Sequence, residues 1–227
     1  MSFAFDEYDT DYEQVVERSI AFSGLEHRFF IHAKVAMLAR IFAERLDGRP
    51  PELLDVGCGV GRMHAAIAPL TASLAGTDVS PRAIARARRD HPGVDYRISR
   101  AGNVPWPDGC FDCSLAVCVL HHVPPADRPA LVAEMRRVTR PGGIVVIIEH
   151  NPWNPATRLA VARCPFDDDA VLLGASQARA LLRSGSLRRV ESAHFLLLPA
   201  TAGWAAAVEH ALRRLPLGAQ YAAYGEV

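Results

Sequence analysis

The run Leu53-Leu54-Asp55-Val56-Gly57-Cys58-Gly59-Val60-Gly61 sets three glycines at alternate positions directly after a short apolar stretch. Glycine lets a chain turn tightly and lets its backbone approach a ligand, and the helical pattern that follows, from about residue 62 to 68, offers its N-terminal amides. Asp78 stands twenty-one residues beyond Gly57, at the end of the next apolar run. A carboxylate there accepts hydrogen bonds from both hydroxyls of a ribose. Strand, turn, helix, strand and acid in that order point to a cofactor that contains adenosine.

Charge narrows the choice. A dinucleotide needs its pyrophosphate over the glycine turn, yet Asp55 stands two residues before the first glycine, and an acid suits a cation better. S-adenosylmethionine, which carries a sulfonium and an ammonium, meets that condition. The spacing GxGxG also differs from the dinucleotide pattern GxGxxG.

Candidates for acceptor chemistry lie at other strand ends. His121 and His122 follow the fourth apolar run, and either is a candidate general base for an acceptor that must lose a proton. The alternative is that the pair satisfies loop carbonyls. Glu149, His150 and Asn151 end the fifth run and are candidates to line an acceptor pocket, or they terminate a strand before Pro152. Lys34, the single lysine beside twenty-four arginines, falls within an apolar helical stripe. It either meets an anion or lays its stem over the core with its head in water. Tyr8, Tyr12, Phe29 and Phe30 either roof an aromatic acceptor or anchor the N-terminal segment. The acidic run 164–169 is read as the start of the next helical pattern rather than as a metal site.

The elements that must position these groups alternate. From about residue 6 to 46 the pattern is helical, with a stripe of Phe29, Phe30, Ala33, Met37, Leu38, Ile41 and Phe42. After Pro50 and Pro51, apolar runs at 53–56, 73–77, 94–98, 111–120 and 144–148 alternate with helical segments, the signature of βαβ units and a parallel sheet. Ser80-Pro81 reads as an N-cap followed by proline at the first helical position. Pro141-Gly142-Gly143 ends the helix before the fifth strand. Beyond a polar stretch at 150–169 come a short helix at 176–183, a long run at 187–198, an amphipathic helix at 204–215 and a last strand at 220–227.

Taken together, LLDVGCGVGR, GTDVS, the NVPWPDGCFD stretch, VLHHVP and RVTRPGG resemble a class I S-adenosylmethionine-dependent methyltransferase of the small-molecule type, similar to the ubiquinone/menaquinone-type enzymes. The resemblance covers residues 6–150. It implies a Rossmann-like doubly wound α/β sheet of about seven strands, mostly parallel with an antiparallel last strand, helices on both faces and an N-terminal helical cap. It further implies contacts to the cofactor from Gly57, Cys58, Gly59 and Gly61, ribose binding by Asp78, adenine packing by Val79, an adenine edge at Ala101 and Gly102, and Cys118 under the methionine portion. At Arg100 the chain departs from the pattern, because a guanidinium cannot accept a hydrogen bond where an acid is expected.

Composition excludes more than it identifies. Twenty-five basic residues balance twenty-five acidic ones, so no global field draws in nucleic acid, and Arg82, Arg86 and Arg89 read as a solvated helix face. Five cysteines with one CxxC, Cys110 and Cys113, form no complete zinc pattern, and no metal is expected. The acidic start lacks the features of a signal peptide, and no apolar run is long enough to span a bilayer, so the expected location is cytoplasmic. The expectation is one methyltransferase domain over 1–227: a cap at 1–48, a cofactor-binding core at 50–150, and an acceptor-side segment with the C-terminal strands at 151–227. It transfers methyl from S-adenosylmethionine to a small molecule, foremost at oxygen, with Tyr12, Phe30, Lys34, His150 and Asn151 around the acceptor. An RNA methyltransferase, a non-catalytic S-adenosylmethionine-binding regulator and a nicotinamide oxidoreductase stand as alternatives. A homodimer contact is one role open to the 204–215 helix.

Overall fold

Apolar side chains that alternate along strands buried on both faces build this molecule. The computed structural model describes residues 17–100, 102–198 and 203–227. Seven strands, β1 (Glu52–Val56), β2 (Ser73–Asp78), β3 (Asp95–Ile98), β4 (Phe111–Val117), β5 (Thr139–His150), β6 (Arg188–Phe195) and β7 (Gln220–Glu226), form one sheet in the order β3-β2-β1-β4-β5-β7-β6. The pairs from β3 to β5 are parallel, and β7 runs antiparallel between β5 and β6. This is the doubly wound architecture expected from the sequence.

Helices α1 (His27–Arg45), α2 (His64–Ile67), α3 (Pro81–Asp90), α4 (Arg128–Val138), α5 (Pro155–Ala162), α6 (Ala175–Ser184) and α7 (Gly203–Leu212) surround the sheet. On β5, Ile144, Val146 and Ile148 pack with Met37, Leu38, Ile41 and Phe42 of α1. Val145 and Ile147 face the other way, onto Val132 and Met135 of α4 and Leu182 of α6. A strand that is apolar at every position is what burial on both faces requires. α1 is therefore a core helix over the sheet rather than a detached cap.

Several boundaries differ from the sequence expectation. β4 stops at Val117, not at residue 120, because Cys118 takes a left-handed φ of 55° and the chain enters a 3₁₀ turn, Leu120–His122. β5 starts earlier, at Thr139, which pairs with Phe111 before Gly142 (φ 80°) turns the chain and pairing resumes at Cys113 with Ile144. Gly143 lies so close to β4 that a Cβ would stand 2.6 Å from the Asp112 carbonyl oxygen. The stretch 150–169 contains α5, started by Asn154, whose Oδ1 accepts from the Thr157 N–H at 3.0 Å, and by Pro155. α7 is tied to the domain: Glu209 accepts from the Leu197 N–H at 2.7 Å, and the His194 N–H donates to the Arg213 carbonyl just beyond the helix. Cys113 sits in the core beneath α1 while Cys110 packs against the opposite core, so the CxxC pair faces two ways.

Candidate functional site

Strand order reverses between β1 and β4, so the loops leaving the carboxyl ends of β1, β2, β4 and β5 border a common crevice, the position where open α/β sheets bind ligands. A cavity of about 1200 Å³ fills it.

At one end lies the glycine turn. Gly57, Gly59 and Gly61 all adopt left-handed φ values, 76°, 54° and 76°. A Cβ on Gly57 would strike Val119, and one on Gly61 would strike the Tyr96 hydroxyl, whereas a Cβ on Gly59 would meet nothing within 4 Å. Gly59 is thus the point at which bare backbone borders open cavity. Asp78 receives the Gly59 N–H on Oδ2 and the Ser80 N–H on Oδ1, each at 2.9 Å. The Val79 N–H is a third backbone donor to it, and a carboxylate with about four lone-pair sites still has room for a ligand. Burial, helped by the nearby Asp55 charge, raises the Asp78 carboxyl above its ordinary value against the pull of these amides. Asp55, buried at the end of β1, accepts from His64 Nε2 at 3.0 Å through Oδ2, while Oδ1 has no hydrogen-bond partner. His64 in turn meets the Tyr96 hydroxyl and stacks on its ring.

The other end is a polar wall. Glu149 Oε1 accepts from the Val119 and Leu120 N–H groups at 3.0 and 2.7 Å, and Oε2 holds His121 Nδ1 at 2.6 Å. His121 Nε2 faces Asp167 Oδ1 at 3.3 Å, and His122 Nε2 faces the same oxygen at 3.5 Å. Burial opposes a charge on His121, but Glu149 and Asp167 outweigh it and hold the imidazole at about 10. Burial and the positive charge of His121 push His122 and His150 down to about 4. One imidazolium therefore stands between two carboxylates, with two neutral rings beside it. Lys34, 8% exposed, lines the same space and makes no ion pair among the described residues.

The family model described as "Methyltransferase domain" matches residues 54–147. An uncharacterized methyltransferase of Synechocystis sp. is 33% identical over 104 residues, covering 45% of this chain and 49% of that protein. The demethylmenaquinone methyltransferase of Beutenbergia cavernae is 34% identical over 119 residues, covering 51% and 49%. The crystal structure of a SAM-dependent methyltransferase from Thermotoga maritima superposes with a TM-score of 0.64 at 19% identity, covering 94% of this chain and 98% of that one, and shows the shared fold. Residues 54–147 are a methyltransferase domain. The chain spans about half the length of the curated relatives it matches.

The methyltransferase domain contributes most of the cavity wall expected of it. Gly57, Cys58, Gly59, Asp78, Val79, Gly102 and Cys118 line the cavity, as do Asp55, His121, His122 and His150. Phe30 and Lys34 reach it from α1. Gly61 does not line it; its missing side chain makes room for the Tyr96 and His64 pair behind the turn. Asn151 also stays out. It is fully buried and donates to the Pro216 and Gly218 carbonyls at 3.0 and 2.8 Å, fastening the loop before β7. Tyr8, Tyr12 and Ala101 lie outside the described residues. Arg100 is exposed, and its neighbour Ser99 lines the cavity instead. Three arginines of the α3 region engage local partners, and a fourth, Arg82, lines the cavity: Arg86 pairs with Asp90, Arg88 donates to the Tyr96 carbonyl, and Arg97 lies over Trp106.

The residues present fit S-adenosylmethionine. Buried Asp55, with one oxygen lacking a partner, and partly buried Asp78 both line the cavity, and the exposed apolar side chain of Val79 stands beside them. Sequence reasoning missed His64, Tyr96 and Asp167. His64 and Tyr96 carry no spacing signal, and Asp167 sits in an acidic run read as a helix start, although α6 begins only at Ala175.

Proposed function

We propose that this protein transfers a methyl group from S-adenosylmethionine to a small-molecule acceptor, at oxygen. The observation that carries the reading is one continuous cavity, about 1200 Å³, with the Asp55 and Asp78 carboxylates at one end and the histidine wall at the other. That volume exceeds a usual single-ligand pocket and suits cofactor and acceptor side by side. When bound, the cofactor supplies a methyl on a sulfonium. The chain's own contribution is alignment and exclusion of water. Gly57 to Gly59 and Asp78 hold the cofactor, Val79 and Gly102 flank its adenine, and Cys118 borders the methionine portion. Phe30 and the α5 residues wall off solvent, Lys34 receives an anionic group of the acceptor, and the neutral rings of His122 and His150, beside the His121 imidazolium, face the acceptor hydroxyl and take its proton. Transfer at oxygen is supported by these proton acceptors, which an already uncharged amine would not need.

Names among the relatives, a demethylmenaquinone methyltransferase and an ajmaline N-methyltransferase, support a small acceptor. The locally engaged arginines around α3 support it against RNA. Free cysteines, and the absence among the described residues of a helix long and apolar enough to cross a membrane, support a cytoplasmic location. The test is a screen of the full chain with isotopically labelled S-adenosylmethionine against a metabolite extract, read by mass. Label on a hydroxyl-bearing small molecule is expected. Label on RNA, or cofactor binding without any labelled product, overturns the reading.

A further inference from the structure

Asp167 Oδ1 lies between two imidazole nitrogens, and the distances are unusual for a plain ion pair. A charge-assisted N–H···O bond closes to about 2.7–2.9 Å. Glu149 achieves 2.6 Å at the far side of the His121 ring, whereas Asp167 stands 3.3 Å from His121 Nε2 and 3.5 Å from His122 Nε2. Ligand atoms bound to a common ion at about 2.0–2.1 Å with tetrahedral angles sit roughly 3.4 Å apart. His121, His122 and Asp167 each offer one ligand atom, and these fall within 4.8 Å of one another.

The surroundings of His121 repeat this logic. A metal-bound histidine characteristically donates its other ring N–H to a carboxylate, which fixes tautomer and orientation. Glu149 does this for His121 Nδ1, and is itself held by the Val119 and Leu120 amides. The segment that brings Asp167 is fastened from both sides: the Asp167 N–H donates to the Cys164 carbonyl at 2.9 Å and the Val171 N–H to the His121 carbonyl at 2.8 Å. Two carboxylates bracket one ring, and an ion between ring and Asp167 would take the place of the proton on His121 Nε2, so that binding releases a proton.

We infer that His121, His122 and Asp167 form a binding site for a divalent first-row transition ion at the acceptor end of the cavity. Two imidazoles and one carboxylate select zinc, iron, cobalt or nickel over magnesium, and three protein ligands leave positions open toward the cavity. The sequence offers only the acidic run 164–169, read as a helix start, because the carboxylate comes from 45 residues after His122 by way of a loop. On the methyl-transfer reading, the ion would hold an acceptor oxygen in place, and only that role rests on the reading; ion binding does not.

The experiment is titration of the untagged, chelator-treated full chain with Co²⁺, followed by visible absorption and calorimetry, and repeated with Zn²⁺. One equivalent is expected to bind with a low-coordinate cobalt spectrum free of a thiolate band. Asp167→Asn and His122→Ala are each expected to weaken binding by at least ~10-fold, and Asp168→Asn to leave it unchanged. Far-ultraviolet circular dichroism and S-adenosylhomocysteine affinity verify that the variants fold. No binding at micromolar cobalt, a thiolate band, or equal affinity in the Asp167 and His122 variants overturns the site. Methyl transfer by the metal-free chain would leave the methyl-transfer reading intact and remove only the ion's role in it.

Discussion

Asp78 and Asn151 are both polar residues at a strand end or just beyond one, yet their side chains do opposite jobs. Asp78 turns a carboxylate toward the cavity with room for a further donor, so Asp78→Asn removes charge-assisted acceptance worth about 1.5–3 kcal/mol per bond. S-adenosylhomocysteine should bind roughly 10- to 100-fold more weakly, and the melting temperature without ligand should fall modestly, since the Asn nitrogen cannot accept the Gly59 or Ser80 N–H that each carboxylate oxygen takes. Calorimetry that finds unchanged affinity removes Asp78 from the site. Asn151 is the reverse case. Its amide donates to two carbonyls and its Oδ1 accepts from the Trp153 N–H at 3.1 Å, all in a fully buried setting. Asn151→Ala leaves buried carbonyls unpaired and should destabilise the fold by about 2–3 kcal/mol in urea unfolding, with cofactor affinity preserved. The sequence distinguishes Asp78 from Asn151 only through the glycine turn upstream of the first. Nothing in the order Glu149-His150-Asn151 reveals that Asn151 serves a loop more than sixty residues away.

Among the elements, the segment between β3 and β4 depends on one side chain from the end of α4. Arg137 donates to the Val104 and Trp106 carbonyls at 2.9 and 2.8 Å, and to Asp108 at 2.9 Å. Glu134, one helical turn earlier, binds the same guanidinium at 2.8 Å and accepts from the Val104 N–H at 3.0 Å. The NVPWPDG and RVTRPGG stretches, legible in the sequence as separate turn signals, are thus two halves of one clamp that sets Gly102 and Val104 against the cavity. Arg137→Ala should cost about 1–3 kcal/mol in chemical unfolding and weaken cofactor binding several-fold through the loosened loop. Arg137→Lys, lacking the planar fork, should recover only part. If Arg137→Ala melts like the parent, the clamp has no energetic role. Helix and strand types were legible here because apolar periodicity reports them, and Ser80-Pro81 does start α3 with Ala83 N–H donating to Ser80 Oγ. Boundaries were less so. The end of β4 is decided by Cys118 in a left-handed conformation, held by its own N–H to the Ile148 carbonyl and by Glu149 on the next two amides, contacts between segments distant in sequence.

For the molecule as a whole, fold stability and cofactor affinity should respond oppositely to acid at Asp78. Its carboxyl titrates above the ordinary value, so the neutral form favours the ligand-free fold. That contribution is present below the unfolded-state value and is lost as pH rises through the folded one. A ligand whose ribose hydroxyls donate to Asp78 reverses the preference, because it needs the carboxylate as acceptor. Asp55 on β1 adds negative charge from the same side, the Cys58 thiol is pushed well up by burial and stays neutral, His64 stands behind Asp55, and Arg62 and Arg82 border the cavity. Affinity should therefore weaken as pH falls through the raised Asp78 value. The readout is ligand-linked stability. At about 100 times the dissociation constant a ligand adds ~2.7 kcal/mol. For a chain of this length, that is about 5–10 °C in melting temperature. With S-adenosylhomocysteine at fixed concentration, the shift should shrink as pH falls through the raised Asp78 value, each tenfold loss of affinity removing about 1.4 kcal/mol. In Asp78→Asn the shift should be smaller and flatter with pH, which assigns the parent's dependence to Asp78. An equal pH dependence in parent and variant would leave Asp78 without a role in it.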